Sequence, residues 1–341
     1  MLAVYASKTD PEQPLEGLEI GDRPDPRPPD GWTTVEVRAA ALNHHDLWSL
    51  RGVGLPDERL PMVLGCDAAG VDEDGNEVIV HSVIGSDDWL GDETLDPKRT
   101  LLSELHPGTL AERVAVPRRN LVPKPEALSF EEAACLPTAW LTAYRALFAK
   151  AEVAPGQTVL VQGAGGGVAS AAIVLARHAG LRVWVTSRDE AKRERALELG
   201  AHAAFESGAR LPERVDAVIE TVGEATWRHS LRAVRQGGTI VVSGATSGAA
   251  PSAELQRVFF LQLRVIGSTM GTRAELAQLA RLCELEGIRP PIDRVLPLSE
   301  AREGFAAMDA GDVFGKIVFT NPEGGSDPLS GLDSRGLTPL T

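Results

Sequence analysis

Several things are scarce in this chain, and each scarcity closes off a class of function. Cysteine occurs three times in 341 residues, at Cys66, Cys135 and Cys283. An odd number at wide separations excludes a disulfide framework and a CxxC metal knuckle, so reduced, buried thiols are expected. Positive charge is also short: 34 Lys and Arg stand against 48 Asp and Glu, for a formal charge of −14. Such a chain repels polyanions, which argues against nucleic acid as a partner. No apolar run nears the roughly 20 residues of a membrane span. The start, MLAVYASKTD, has no basic stretch leading into an apolar one, so no secretion signal is expected. What remains, 43% hydrophobic and 24% charged residues, is the composition of a cytoplasmic globular protein able to bury the cores of two domains.

The texture changes along the chain. Residues 1–127 are rich in Pro, Gly and Val, with short apolar runs such as Thr33–Val37 and Glu77–Val80 that read as antiparallel strands. A polar, acidic insertion from Ser86 to His106 reads as a surface loop. At Ser129 a capping box with Glu132 opens a helix running to Phe148. From residue 157 to 268, six apolar runs alternate with helical segments: Thr158–Gln162, Arg182–Thr186, Ala203–Glu206, Ala217–Glu220, Thr239–Ser243 and Arg264–Ser268. This alternation predicts an α/β fold with a doubly wound parallel Rossmann sheet. The helices are expected over Val168–Ala179, over Glu190–Leu199, and over Ala225–Arg235 with its end at Gly237-Gly238. The resulting division is a first domain over 1–127, a nucleotide-binding domain over 128–267, and a return segment over 268–320. The return segment carries an amphipathic helix, Ala274–Glu286, and a last strand near Lys316. Residues 321–341 form a Gly/Pro/Ser-rich tail expected to be disordered.

The strongest chemical signal is the loop Gly163-Ala-Gly165-Gly166-Gly167-Val168-Ala169, which follows a strand and opens a helix. Glycines let the backbone turn tightly and come close to a diphosphate, and the helix N-terminus offers free N–H groups to that anion. The end of the next strand selects the dinucleotide. NAD sites place Asp or Glu there to hold the ribose 2′-OH. Here Ser187 takes that place, with Arg188 next and Lys192 one turn on. A hydroxyl and two cations suit a 2′-phosphate, so NADP(H) is the expected cofactor. Asp189 is the carboxylate nearby that would favour NAD if it turned inward.

These segments, with Asn43-His-His-Asp46, Arg51-Gly52, Gly65-Cys-Asp67-Ala-Ala-Gly70, Gly108-Thr-Leu-Ala-Glu112, Pro137-Thr-Ala-Trp-Leu-Thr-Ala143, Gly267-Ser-Thr-Met-Gly271 and Phe314-Gly-Lys316, resemble the medium-chain dehydrogenase/reductase superfamily. Within it, the chain resembles most the zinc-independent NADPH:quinone oxidoreductases. The resemblance implies a GroES-like, β-rich catalytic domain made from both chain ends, beside the Rossmann domain, and a homodimer. It also implies that Thr142, Gly244, Ser268 and Met270 lie near the cofactor and that Lys316 reaches one of its phosphates.

Zinc-dependent members of the superfamily bind catalytic zinc through a Cys, a His-Glu pair and a later Cys or Asp. By motif alignment, Asn43 replaces the first, Cys66-Asp67 the pair, and Ala139 or a neighbour the last. Asn is a poor zinc ligand, and the segment 82–120 contains no Cys for a structural zinc. No metal is therefore expected. Developing charge on a substrate oxygen must then be met by donors of the chain. Asn43 is the expected donor, His45 the expected acid, and Asp46 the residue that ties their loop down. The expected reaction is hydride transfer from NADPH to a quinone, enone or similar small carbonyl acceptor. Two alternatives stay open: a zinc alcohol or aldehyde dehydrogenase with ligands drawn from His44, His45, Cys66, Asp67 and His81, and a non-catalytic NADPH-binding sensor or structural protein.

Overall fold

A computed structural model describes residues 1–321. The expected disordered tail therefore lies outside the described residues, except for Asn321, whose side chain donates to the carbonyls of Val37 and Ala111.

The nucleotide half forms as the alternation predicts. Six parallel strands line up in the order Ala203–Phe205, Arg182–Thr186, Thr158–Gln162, Val215–Glu220, Val234–Val242 and Arg264–Gly267. Sequence order thus reverses beside Thr158–Gln162, which is where an open α/β sheet leaves a crevice for a ligand. Thr158–Gln162 is buried at every position, as a central parallel strand covered on both faces must be. One expected boundary is corrected. The helix over Glu224–Ala233 stops earlier than expected, and Gly237 and Gly238 lie inside the strand Val234–Val242. There the register shifts against the fourth strand, between Val215 and Ala217. Glycine at a bulge resembles glycine at a helix end when only sequence is read.

The other half is built on a seven-stranded sheet, mainly antiparallel, whose centre is the strand Trp32–Ala41. Burial alternates along this strand through Thr33, Val35 and Val37, the period of two that puts one face on a core. Asp67–Asp72 flanks it on one side and Lys316–Thr320 on the other. Beyond the latter, Ile292–Pro297 pairs in parallel, a strand that sequence reading missed. A small three-stranded sheet (Leu18–Asp22, Leu2–Ala6, Met62–Val63) closes one end.

The division at residue 268 is also corrected. The amphipathic helix, here Arg273–Glu286, buries Leu276, Leu279, Ala280 and Cys283. These side chains join the cluster formed by Leu136–Leu147, Val159 and Ile173, so the helix packs on the nucleotide side. The chain rejoins the outer sheet only at Ile292. That cluster also takes in Ala39, Ala69 and Val122, so the two domains share a core along their contact.

The insertion is more than a surface loop. Thr100–Leu101 pairs with Val83–Ile84, and Leu102 and Ser103 are fully buried. Arg145, from the helical stretch after Thr142, bonds both Asp92 of the insertion and Glu275 of the Arg273–Glu286 helix. A charged triad joins the lobe to the nucleotide side.

Candidate active site

The glycine loop leaves the C-terminal end of the central parallel strand and enters the helix Gly167–His178. Gly163 has φ +85°, a conformation that costs an L side chain about 1–2 kcal/mol. A Cβ on Gly165 would lie 2.8 Å from the Lys192 stem, and one on Gly167 would lie 3.0 Å from the Lys316 stem. Above Gly166 the space is open. The cradle therefore fits a diphosphate: the backbone is bare and the amides that begin the helix face the gap. Val168 is half-buried in the first turn. Gly244 lies near the end of the fifth strand, where a Cβ would meet the Thr221 carbonyl at 2.9 Å. Ser268, whose N–H bonds the Val242 carbonyl, follows the sixth strand. The hydroxyls of Ser243 and Ser268 are shut off from solvent and have no partner among the described residues. Such orphaned groups at strand ends suit a polar ligand. Met270 takes a positive φ of 52° in the same turn, and Gly271 abuts Leu141, the neighbour of the buried Thr142.

At the second strand, Ser187 is buried and its hydroxyl accepts from the Asp189 N–H, while Arg188 is exposed. Asp189 is not free to turn toward a ribose, because its carboxylate accepts from the Lys192 N–H and caps the helix Glu190–Glu198. The expectation for Lys192 is corrected. Its ammonium donates to the Gly311 carbonyl at 2.7 Å and its stem covers Gly165, so it belongs to the glycine loop rather than the adenosine end.

Across the cleft, Asn43 immediately precedes the short helix His44–Leu50. Asp46 is fully buried and performs the tying role expected of it. Its carboxylate accepts from the N–H of Asn43 and from that of Gly65, each at 2.9 Å. His45 lies between two groups: Nε2 is 2.9 Å from Glu104 Oε1, and Nδ1 is 3.5 Å from Cys66 Sγ. Burial opposes charge on this imidazole, but Cys66, Asp46 and Glu104 outweigh it and raise its pKa well above the ordinary value. Burial pushes the Cys66 thiol up, against the pull of the neighbouring His45. His44 moves the other way, lowered by burial and by the charges of Lys316 and Arg51. Glu104 was not foreseen: it belongs to the insertion, and only the fold brings it to His45.

Lys316 is the largest departure from expectation. It is 2% exposed and donates to the carbonyl of Leu42 at 2.8 Å, to Asn43 Oδ1 at 2.6 Å and to Asp67 Oδ2 at 3.1 Å. Three oxygens use all three ammonium protons, so the phosphate role is corrected: none is left for an anion. The same contacts bear on how this donor set would receive a metal. Asn43 and Asp67 are the residues that the motif alignment sets at zinc-ligand positions, and the Lys316 ammonium lies between them. The neighbouring His45, Asp46 and Cys66 come within 4.8 Å of one another. Yet both Asp46 oxygens are taken by amides and His45 is paired with Glu104. As arranged, neither set fits a zinc ion.

Comparison with known proteins agrees with the fold. The profile described as "Alcohol dehydrogenase GroES-like domain" matches residues 29–126, and that described as "Zinc-binding dehydrogenase" matches residues 167–284. An acryloyl-coenzyme A reductase of Metallosphaera sedula is 30% identical over 327 residues, covering 89% of this chain and 97% of that protein. A zinc-type alcohol dehydrogenase-like protein of Schizosaccharomyces pombe is 29% identical, covering 85% of this chain and 90% of that one. A solved structure of an NAD-dependent alcohol dehydrogenase superposes with a TM-score of 0.87 at 35% identity, over 94% of this chain and all of that one. The chain belongs to the zinc-type alcohol dehydrogenase-like medium-chain dehydrogenase/reductase superfamily, with a GroES-like and a Rossmann domain. It is an oxidoreductase.

Proposed function

We propose that this protein reduces a conjugated carbonyl compound, such as an enone, a quinone or an enoyl thioester, with NADPH and without catalytic zinc. When bound, the cofactor supplies hydride. The chain supplies a cradle at Gly163–Val168, a Ser187–Arg188 pair for the 2′-phosphate, the Asn43 amide to meet charge on the acceptor oxygen, and His45 to deliver a proton. A conjugated acceptor spreads the developing negative charge over its π system, so it needs less help from the protein than an isolated ketone does. The observation that carries this reading is the Lys316 ammonium held between Asn43 and Asp67, in the place the metal would need. Acryloyl-coenzyme A is such a conjugated thioester, and the relative named for reducing it spans nearly the whole chain.

The names of the alcohol dehydrogenase relatives favour a second reading, a metal-dependent dehydrogenase that rearranges His45, Asp46 and Cys66 around zinc. One experiment separates the two: NADPH and NADH oxidation with quinones, enones, enoyl thioesters and aldehydes, before and after chelation, with metal content measured on the same sample. Turnover of conjugated acceptors that chelation leaves intact supports the proposal. One tightly held zinc per chain with chelator-sensitive alcohol oxidation defeats it. Binding of NADPH without turnover of any acceptor would point to a sensor. The homodimer belongs to the same proposal, with the edge strand Arg264–Gly267 as its interface.

A further inference from the structure

An ammonium cannot be buried alone, and the way Lys316 is satisfied assigns it a purpose. Lysine is donor-only, so the edge of the Asn43 amide that faces it must be the carbonyl edge. That contact, at 2.6 Å, settles which way the amide is turned. Its N–H₂ edge then faces away from Lys316. One of those hydrogens reaches the Ala41 carbonyl at 3.3 Å. The stem that carries the ammonium runs past Gly167 in the glycine loop. One side chain therefore spans from the cofactor cradle to the expected acceptor donor.

We propose that Lys316 is a positioning residue: locked by Leu42, Asn43 and Asp67, it fixes the Asn43 amide with its N–H edge toward the acceptor oxygen. It also places its ammonium behind that amide. A hydrogen bond from an ammonium to the amide oxygen draws electron density from the nitrogen and strengthens its N–H as a donor. The arrangement exists before substrate arrives, so no reorganisation is needed as charge develops. Lysine suits the place better than arginine. Three converging oxygens match a compact ammonium with three donors, whereas a planar guanidinium fork addresses two coplanar acceptors. This inference rests on the hydride-acceptor reading given above.

The test compares wild type with Lys316→Met, Lys316→Arg and the double variant Asp67→Asn/Lys316→Met. The double variant removes both buried charges and carries the test if Lys316→Met leaves Asp67 stranded and fails to fold. Three readouts are taken: the NADPH dissociation constant, kcat and KM with the best conjugated acceptor, and the side-chain amide resonances of protein labelled at asparagine. The chain has four asparagines, at 43, 76, 120 and 321, so the Asn43 signal can be assigned. All three variants are expected to bind NADPH within about threefold of wild type and to lose about a hundredfold in kcat, the scale of one lost oxyanion donor. The Asn43 amide signal is expected to move in each. Unchanged kcat, or a loss confined to NADPH affinity as a phosphate ligand would give, overturns the inference. If wild type reduces no conjugated acceptor, the functional reading falls by itself. An Asn43 amide signal unmoved by Lys316→Met overturns the inference whatever the wild type reduces.

Discussion

His45 is a site where burial and neighbouring acids pull in opposite directions, and the acids prevail. The folded protein therefore binds its proton more tightly than the unfolded chain does. The stability this contributes is complete below the ordinary histidine value of 6.5 and is lost as pH rises through the elevated folded value. Glu104→Gln removes the partner on Nε2 while keeping its shape. The imidazole resonance of His45 is then expected to titrate at lower pH, and the alkaline decline of the thermal midpoint to flatten. A titration curve identical to wild type would show that Glu104 does not hold the charge. At this scale the sequence was legible where function is local. Asn43, His45 and Asp46 share one loop and emerge as a unit. Lys316 was misread because its environment comes from Asn43 and Asp67, 273 and 249 residues away. A lysine at the start of a strand looks like a surface residue until its acceptors are known.

At the scale of elements, all six nucleotide-sheet strands were readable. Each is a short apolar run with its own turn signals, and a parallel strand buried on both faces needs no distant partner to declare itself. The insertion was not readable, because its polar composition conceals what ties it down: Arg145 reaching Asp92, and Thr100–Leu101 pairing with Val83–Ile84. The strand Ile292–Pro297 was missed for a related reason, since its exposed and half-buried positions give no clean alternation. The turn from Thr186 into the helix Glu190–Glu198 carries the expected cofactor preference. Asp189 is committed to capping that helix and Lys192 reaches Gly311, while the Arg193 guanidinium donates to the Ser187 carbonyl and Arg188 beside it is exposed. Arg188→Ala is expected to weaken NADPH by about tenfold or more, the 1.5–3 kcal/mol of a charge-assisted hydrogen bond, while NADH changes less than about twofold. Equal losses in parallel titrations would end the 2′-phosphate assignment.

Across the whole molecule, the nucleotide sheet ends on an open edge. Arg264–Gly267 is its last strand and is mostly exposed. Near it in sequence, Leu255, Phe259 and Phe260 are 71%, 69% and 74% exposed. A free strand edge and exposed aromatic side chains are features that soluble proteins ordinarily cover. Light scattering is expected to give twice the 36.3 kDa chain mass for wild type. The double substitution Phe259→Asp/Phe260→Asp should give the single-chain mass, with the fold kept by circular dichroism. A wild type that elutes as one chain at micromolar concentration would remove this interface.

The placing of the last described strand has a consequence for biosynthesis. Lys316–Thr320 inserts between Trp32–Ala41 and Ile292–Pro297, and Gly315 bonds the carbonyl of Gly165 just before it. The middle of the chain can acquire its parallel sheet during translation, since domains fold as units as they emerge. The site is completed later, because Lys316 must emerge and return to Asn43 and Asp67, 273 and 249 residues before it. The nascent polypeptide therefore cannot bring these three residues together before Lys316 has been made.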